Sequence, residues 1–304
     1  GSQPRSDGRR SRVIYDVSHR TTFTYSQSVS ISHHLLHLTP RPCARQICHR
    51  HSLLIEPPPA LIREAVDYFG NPMTYLTVEE SHKELSVVAR SNVEVMVPVH
   101  YDPAHTSAWD CLVTTLKESK TRENLDVYQF VFESPFTRTY GTVVEYAATS
   151  FPPGRPVLEG AMDLMNRIYT DFKYEGGVTD IYTPVDEVLR DRRGVCQDFA
   201  HLFISALRRL GIPARYVSGY LMTLPPEGQP RLVGADASHA WLSIWVPEAG
   251  WVDLDPTNNV VPGDQHITVA WGRDYGDVSP INGMVQGGGA HVLKVSVDVA
   301  PVGG

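Results

Sequence analysis

Cys196 stands apart from the other three cysteines of this chain. It lies in "GVCQDFAH", between a glycine and the start of a helical pattern. From there Phe199, Leu202, Phe203, Ala206, Leu207 and Leu210 recur at helical spacing, and Gly211 and Pro213 supply the stop. Arg208 and Arg209 fall in the last turn, which suits the negative end of the helix dipole. A sulfur in the first turn meets unpaired N–H groups and the positive dipole end, which favour thiolate over thiol and can hold an oxyanion. A buried cysteine acting as a small apolar residue fits the same position. A nucleophile needs a base, and the base needs an orienting group.

Both are available in "SHAWLSIWVPEAGWVDLDPTNN". Pro247–Gly250 reads as a turn, so residues 238–246 and 251–255 predict a β-hairpin with Trp245 opposite Trp251. That register places His239, Trp241, Ser243, Asp253 and Asp255 on one face. Leu242, Ile244, Val246, Val252 and Leu254 take the other. Asp255 then faces Trp241 and is a diagonal neighbour of His239, within reach of its ring. The pair could equally staple the hairpin. With the thiol it makes a Cys196, His239, Asp255 set suited to acyl transfer, with Trp241 as a wall that excludes water.

The rest of the chain must position these groups. Residues 12–100 read as short strands separated by Pro, Gly and Asn, with a turn near His19 and Arg20, and predict an antiparallel β domain. Residues 101–155 read as a helical connection. Residues 156–304 form the α+β part that carries the motifs and end in a strand, with Leu293, Val295, Val297 and Val299 facing a core. The first eleven residues look like a tag and a flexible basic arm.

Composition narrows the classes. The 304 residues are 42% hydrophobic and 20% charged, a globular balance. A net charge of -7 argues against nucleic acid or an anionic membrane as partner. Four cysteines are too few for a disulfide framework, which points to a reducing, cytoplasmic setting. Cys43, Cys48, His49 and His51 are close in sequence, but their spacing matches no zinc pattern, so neither metal nor cofactor is expected. Cys111 reads as a core residue of a short helix. His201, about 140° around the helix from Cys196, reads as structural.

The stretches "RRGVCQDFAHLFISALRRLGIPARYVSGY" and "DASHAWLSIWVPEAGWVDLDPTNN" resemble the core of the transglutaminase-like superfamily, in its bacterial branch. Residues 12–100 resemble that branch's N-terminal domain, and "GRDYGDVSPINGM" with "GGGAHVLKVSVDV" is similar to its C-terminal signature. The resemblance implies a papain-like catalytic domain with Cys196, His239 and Asp255 as its triad. It also implies a peptide or protein amide as substrate, and water or an amine as acyl acceptor. It brings Gln197 and Asp198 to the site, and Arg273, Asp274 and Tyr275 to the cleft as substrate-recognition residues; Tyr220 and Asp236 lie in the same kind of text. A binding or scaffold protein on this fold, with an unused triad, is the competing expectation.

Overall fold

The computed structural model describes residues 12–223 and 237–303. The N-terminal arm and Asp236 lie outside the described residues. The fold mixes helix and sheet, in the α+β class expected, and opens with an antiparallel sheet. Its strands are β1 (Arg12–Leu36), β2 (Gln46–Glu56), β3 (Leu61–Val66), β4 (Pro72–Val78) and β5 (His82–Met96), ordered β2-β5-β1-β4-β3. The turn expected at His19 and Arg20 is absent. β1 runs straight through, with His19 opposite Ala89 on one side and Val297 on the other. No glycine, proline or asparagine interrupts residues 12–25, so nothing there favours a reversal.

The helices α1 (Trp109–Glu118), α2 (Arg122–Tyr128), α3 (Val143–Ala148), α4 (Val157–Asp171) and α5 (Val185–Asp191) follow, with a two-strand parallel pairing of β6 (Lys173–Tyr174) and β7 (Arg193–Gly194). Residues 101–155 are more than a connection. Leu112, Val113, Leu116, Val127 and Val143 are buried in one cluster with the helix that starts at Cys196. Cys111 is exposed rather than core: the buried face of α1 is Leu112, Val113 and Leu116, and Cys111 falls outside it.

The helix α6 (Cys196–Arg209) has the expected apolar face, with Phe199, Leu202, Phe203, Ala206 and Leu207 buried. Gly211, at φ +86°, ends it. The amide of Gly211 donates to the carbonyl of Arg208 and that of Ile212 to Leu207, the paired bonds of a Schellman stop. α6 packs on a second antiparallel sheet formed by β8 (Ala214–Leu221), β9 (Ala237–Val246), β10 (Gly250–Leu254) and β11 (His266–Gly272), ordered β10-β9-β8-β11. Leu242, Ile244, Val246 and Leu254 face the core, and Trp245 pairs with Trp251 in the register that the alternation predicts.

After α7 (Tyr275–Val278), the strands β12 (Ile281–Gly287) and β13 (His291–Pro301) return to the first sheet and pair with β1. Residues 281–301 thus complete the N-terminal sheet. Val297 and Val299 are buried against the core, whereas Leu293 and Val295 are each 51% exposed, because only the end of β13 is covered. Among the described residues no helix is long and apolar enough to cross a membrane.

Three of the buried histidines have their imidazoles pushed well below the ordinary value. His19 bridges the two sheets through the hydroxyl of Tyr220 at 3.0 Å, and His201 accepts from the amide of Tyr275 at 3.2 Å. Burial pushes His19 down to about 4. It pushes His34 down to about 4 as well, helped by the charges of His82 and His33. His201 falls to about 3 through burial and the nearby Arg208. Each is neutral in the folded protein and would bind a proton only after unfolding. Their contribution is therefore complete above an unfolded value of about 6.5 and is lost as pH falls toward 4. We expect stability to drop by about 2–6 kcal/mol between about pH 6.5 and 5, up to about 1.4 kcal/mol per unit per histidine. Urea unfolding at the two pH values measures it, and a flat profile would contradict it.

Candidate active site

The sequence places Cys196 at the first position of α6 by two local devices. Val195 is extended at the N-cap and has no side-chain acceptor. The helix is instead capped from inside: the amide of Val195 donates to Asp198 Oδ2 at 2.8 Å, and Thr179 Oγ1 donates to the same oxygen at 2.6 Å. Asp198 is thus buried and committed to the N-terminus of α6. Burial raises its carboxyl, and the hydrogen bonds from Thr179 and Val195 oppose that rise.

The second device is Gly194. A Cβ there would lie 2.7 Å from Asp198 Oδ2 and 2.9 Å from its Cβ. Gly194→Ala should therefore displace the cap and cost about 1–3 kcal/mol, measured by urea unfolding. An unchanged midpoint would show that the carboxylate is free to move. The amides of Cys196 and Gln197 have no intrahelical acceptor, since the first such bond runs from Phe199 to Val195. They remain available to an oxyanion. The side chain of Gln197 donates to the carbonyl of Ile181 at 3.3 Å, beside the thiol.

His239 enters from β9, opposite Gly219 on β8. Asp255 lies one residue past the last rung of the β9–β10 hairpin and bridges to Val260. Its carboxylate is fully buried. Oδ1 accepts the amides of Thr257 at 3.0 Å and Asn258 at 3.3 Å. Oδ2 accepts His239 Nε2 at 2.8 Å, Asn258 Nδ2 at 2.8 Å and His266 Nε2 at 3.0 Å. Burial alone would raise this carboxyl, but the hydrogen bonds from His239 and His266 hold it well below the usual carboxylate range.

A carboxylate only accepts, so His239 carries its proton on Nε2 toward Asp255. Nδ1 is the nitrogen left for Cys196, which lies near enough to the ring to raise its basicity. Burial works against the charged imidazole, yet the hydrogen bonds to Asp255 and Cys196, and the charges of both, lift it to about 10. The three groups are therefore together, with the sulfur half-buried at the helix start.

Two residues of this cluster escaped the sequence reading. Asn258 sits in the turn after Pro256 and wraps both carboxylate oxygens. His266 opens β11, which pairs with β8 across the sheet from the hairpin, so its proximity to Asp255 needs the strand order. His239 Nε2, Asp255 Oδ2 and His266 Nε2 lie within 4.8 Å of one another and are metal-ligating atom types. Both ring nitrogens lie at hydrogen-bonding distance from the carboxylate, at 2.8 and 3.0 Å.

Other expected site residues lie differently. Trp241 is fully buried, with its ring 6.0 Å from that of His239 and 5.2 Å from that of His266. It is a floor beneath both imidazoles, not an exposed wall. Gly219 makes room for it, since a Cβ there would lie 2.4 Å from the indole. Arg273 is paired with Asp277 through two bonds of 2.8 and 2.9 Å. Asp274 is buried and caps α7, accepting from Gly276 and Phe136. Tyr275 packs edge-on against Phe136 and Tyr216 and donates its amide to His201. Asp274 is taken up by the start of α7 and by Phe136, whereas Arg273 is braced by Asp277 with its side chain still 46% exposed. Tyr220 is buried on His19.

The cysteine and histidine group of residues 43–51 disperses. Cys48 donates to the carbonyl of Arg50, His49 bonds Glu94, and His51 bonds Ser91.

Comparison with known proteins gives two matching family models. Residues 15–94 match the bacterial transglutaminase-like N-terminal region, and residues 145–256 match the transglutaminase-like superfamily. An uncharacterized protein of Mycobacterium tuberculosis is 42% identical over 299 residues, covering 95% of this chain and 93% of that protein. A protein-glutamine gamma-glutamyltransferase of Pseudomonas aeruginosa is 45% identical over 80 residues, 26% of this chain and 12% of that protein. The crystal structure of a candidate cysteine protease from Cytophaga hutchinsonii shares the fold, with a TM-score of 0.76, 22% identity, and coverage of 96% and 91% of the two chains.

Proposed function

The chain belongs to the transglutaminase-like superfamily, and from that premise we propose that it is a cysteine-dependent acyl-transfer enzyme acting on peptide or glutamine-type amides. The observation that carries the reading is one ring: His239 gives Nε2 to a buried carboxylate, and Cys196 at the start of α6 lies near enough to raise its basicity. The sulfur of Cys196, its proton already resting on His239 Nδ1, attacks the amide carbonyl. The carbonyl oxygen becomes an oxyanion facing the amides of the first turn of α6. Collapse breaks the C–N bond, and His239 returns the proton to the departing amine, leaving a thioester. Water or a primary amine then attacks the thioester, gives its proton to His239, and releases acid or new amide together with the thiol. Asp255 holds the ring and its tautomer throughout. All four cysteines are free thiols, which suits a reducing compartment such as the cytoplasm.

The test is release of ammonia or amine from a casein and glutamine-peptide panel by wild type and Cys196→Ser, with a labelled primary amine present. Release with no label incorporated identifies hydrolysis, and label in the product identifies transamidation. No turnover of any amide by wild type would favour the scaffold reading and overturn this one.

A further inference from the structure

Arg215, on β8 opposite Ser243, is a buried cation whose Nε has no hydrogen-bonding partner among the described residues. The residue is 8% exposed, and its guanidinium lies over Trp271 at 3.7 Å and Trp251 at 4.3 Å. Its Nε finds no acceptor, and among the described residues no carboxylate or carbonyl takes a hydrogen bond from the fork. Asp253, whose charge it feels, is already committed to Ser243 and to Arg45 at 3.1 Å. Arg41 adds a further positive charge over Trp271.

Burying an ion with no hydrogen-bonded counter-ion costs several kcal/mol, and two ring faces return about 1–2 kcal/mol each. Burial brings Arg215 down to about 9, which still leaves it charged at neutral pH. The guanidinium borders a cavity of about 530 Å³ whose other walls include Val97, Tyr101 and Pro262. That volume lies within the range of small-molecule sites. A planar fork of N–H donors beside a cavity walled by Val97, Val99, Val261 and Pro262, with Arg45 and Asp253 at its polar side, matches a carboxylate that carries a hydrocarbon body.

We propose that this cavity binds a small carboxylic acid with an apolar body, its carboxylate held by the fork of Arg215 between Trp251 and Trp271. The site is separate from the thiol: Ser243, opposite Arg215, is four residues along β9 from His239, roughly 13 Å at about 3.3 Å per residue.

Cys43 lines the same cavity and reports on its occupancy. Wild-type protein is alkylated with iodoacetamide, and each cysteine is read by peptide mass spectrometry with hexanoate, hexanamide or inorganic phosphate present. Hexanoate binding is titrated in parallel by calorimetry. Hexanoate at ten times its Kd should slow Cys43 labelling about tenfold and leave Cys111, exposed on α1, unchanged. Hexanamide and phosphate should protect far less. Arg215→Met should abolish protection, and Arg215→Lys, which keeps the charge but loses the fork, should weaken binding about tenfold. Absence of saturable hexanoate binding to wild type would overturn the proposal, as would equal protection by hexanamide or by phosphate. The wild-type arms decide even if Arg215→Met fails to fold.

Discussion

His239→Ala should lower kcat/KM for amide turnover by about 10⁴-fold and abolish the preference of iodoacetamide for Cys196 over Cys111. The ring that accepts the thiol proton and returns it to the leaving amine is then gone. No neighbour replaces it: His266 is turned toward Asp255, and His201 is buried and holds Tyr275. The wild-type pH profile sharpens the expectation. His239 is lifted to about 10 despite its burial, so its proton should stay available to the leaving group well past an ordinary imidazole value of about 6.5. The alkaline limb of kcat/KM should therefore fall near pH 10. Equal labelling of Cys196 in wild type and variant, or a limb near pH 7, would contradict the assignment.

Local periodicity carried the sequence reading far, and it stopped where pairing is non-local. The hairpin was legible because period-2 alternation and the Pro247–Gly250 turn leave one register that buries Leu242, Ile244 and Leu254 together. The span of α6 was legible because its apolar face and its Gly211 stop agree. The partner of β13 was not: alternation shows that it is a strand, but nothing in "HVLKVSVDV" says that it pairs with residues 15–25. Sheet order hid His266 in the same way. The partners of Asp198 and Asp274 were hidden for a different reason. A polar residue beside a motif looks like recognition chemistry, while its use as a cap appears only with its amide partners, Val195 for one and Gly276 and Phe136 for the other.

The second large effect belongs to Asp255, and it separates an ionic role from a merely structural one. Asp255→Ala leaves two buried imidazole donors, His239 and His266, and the amides of Thr257 and Asn258 without their acceptor. That should cost about 3–5 kcal/mol at neutral pH. The cost should itself depend on pH. The carboxyl of Asp255 is held below its unfolded value, so its contribution is present above about pH 4 and is lost as pH falls through the native value. His239 is raised, so its contribution is complete below about pH 6.5 and is lost as pH climbs toward about 10. Both are in force at neutral pH. By about pH 9.5 the wild-type protein should have surrendered most of the His239 share, and the variant never had it. Urea unfolding of the two proteins should therefore show a gap that narrows by about 2–3 kcal/mol between about pH 6.5 and 9.5. A narrowing gap requires the imidazolium–carboxylate pair, whereas a gap of constant size would mean that Asp255 only fills hydrogen bonds, and that the ring facing Cys196 is not held as a cation.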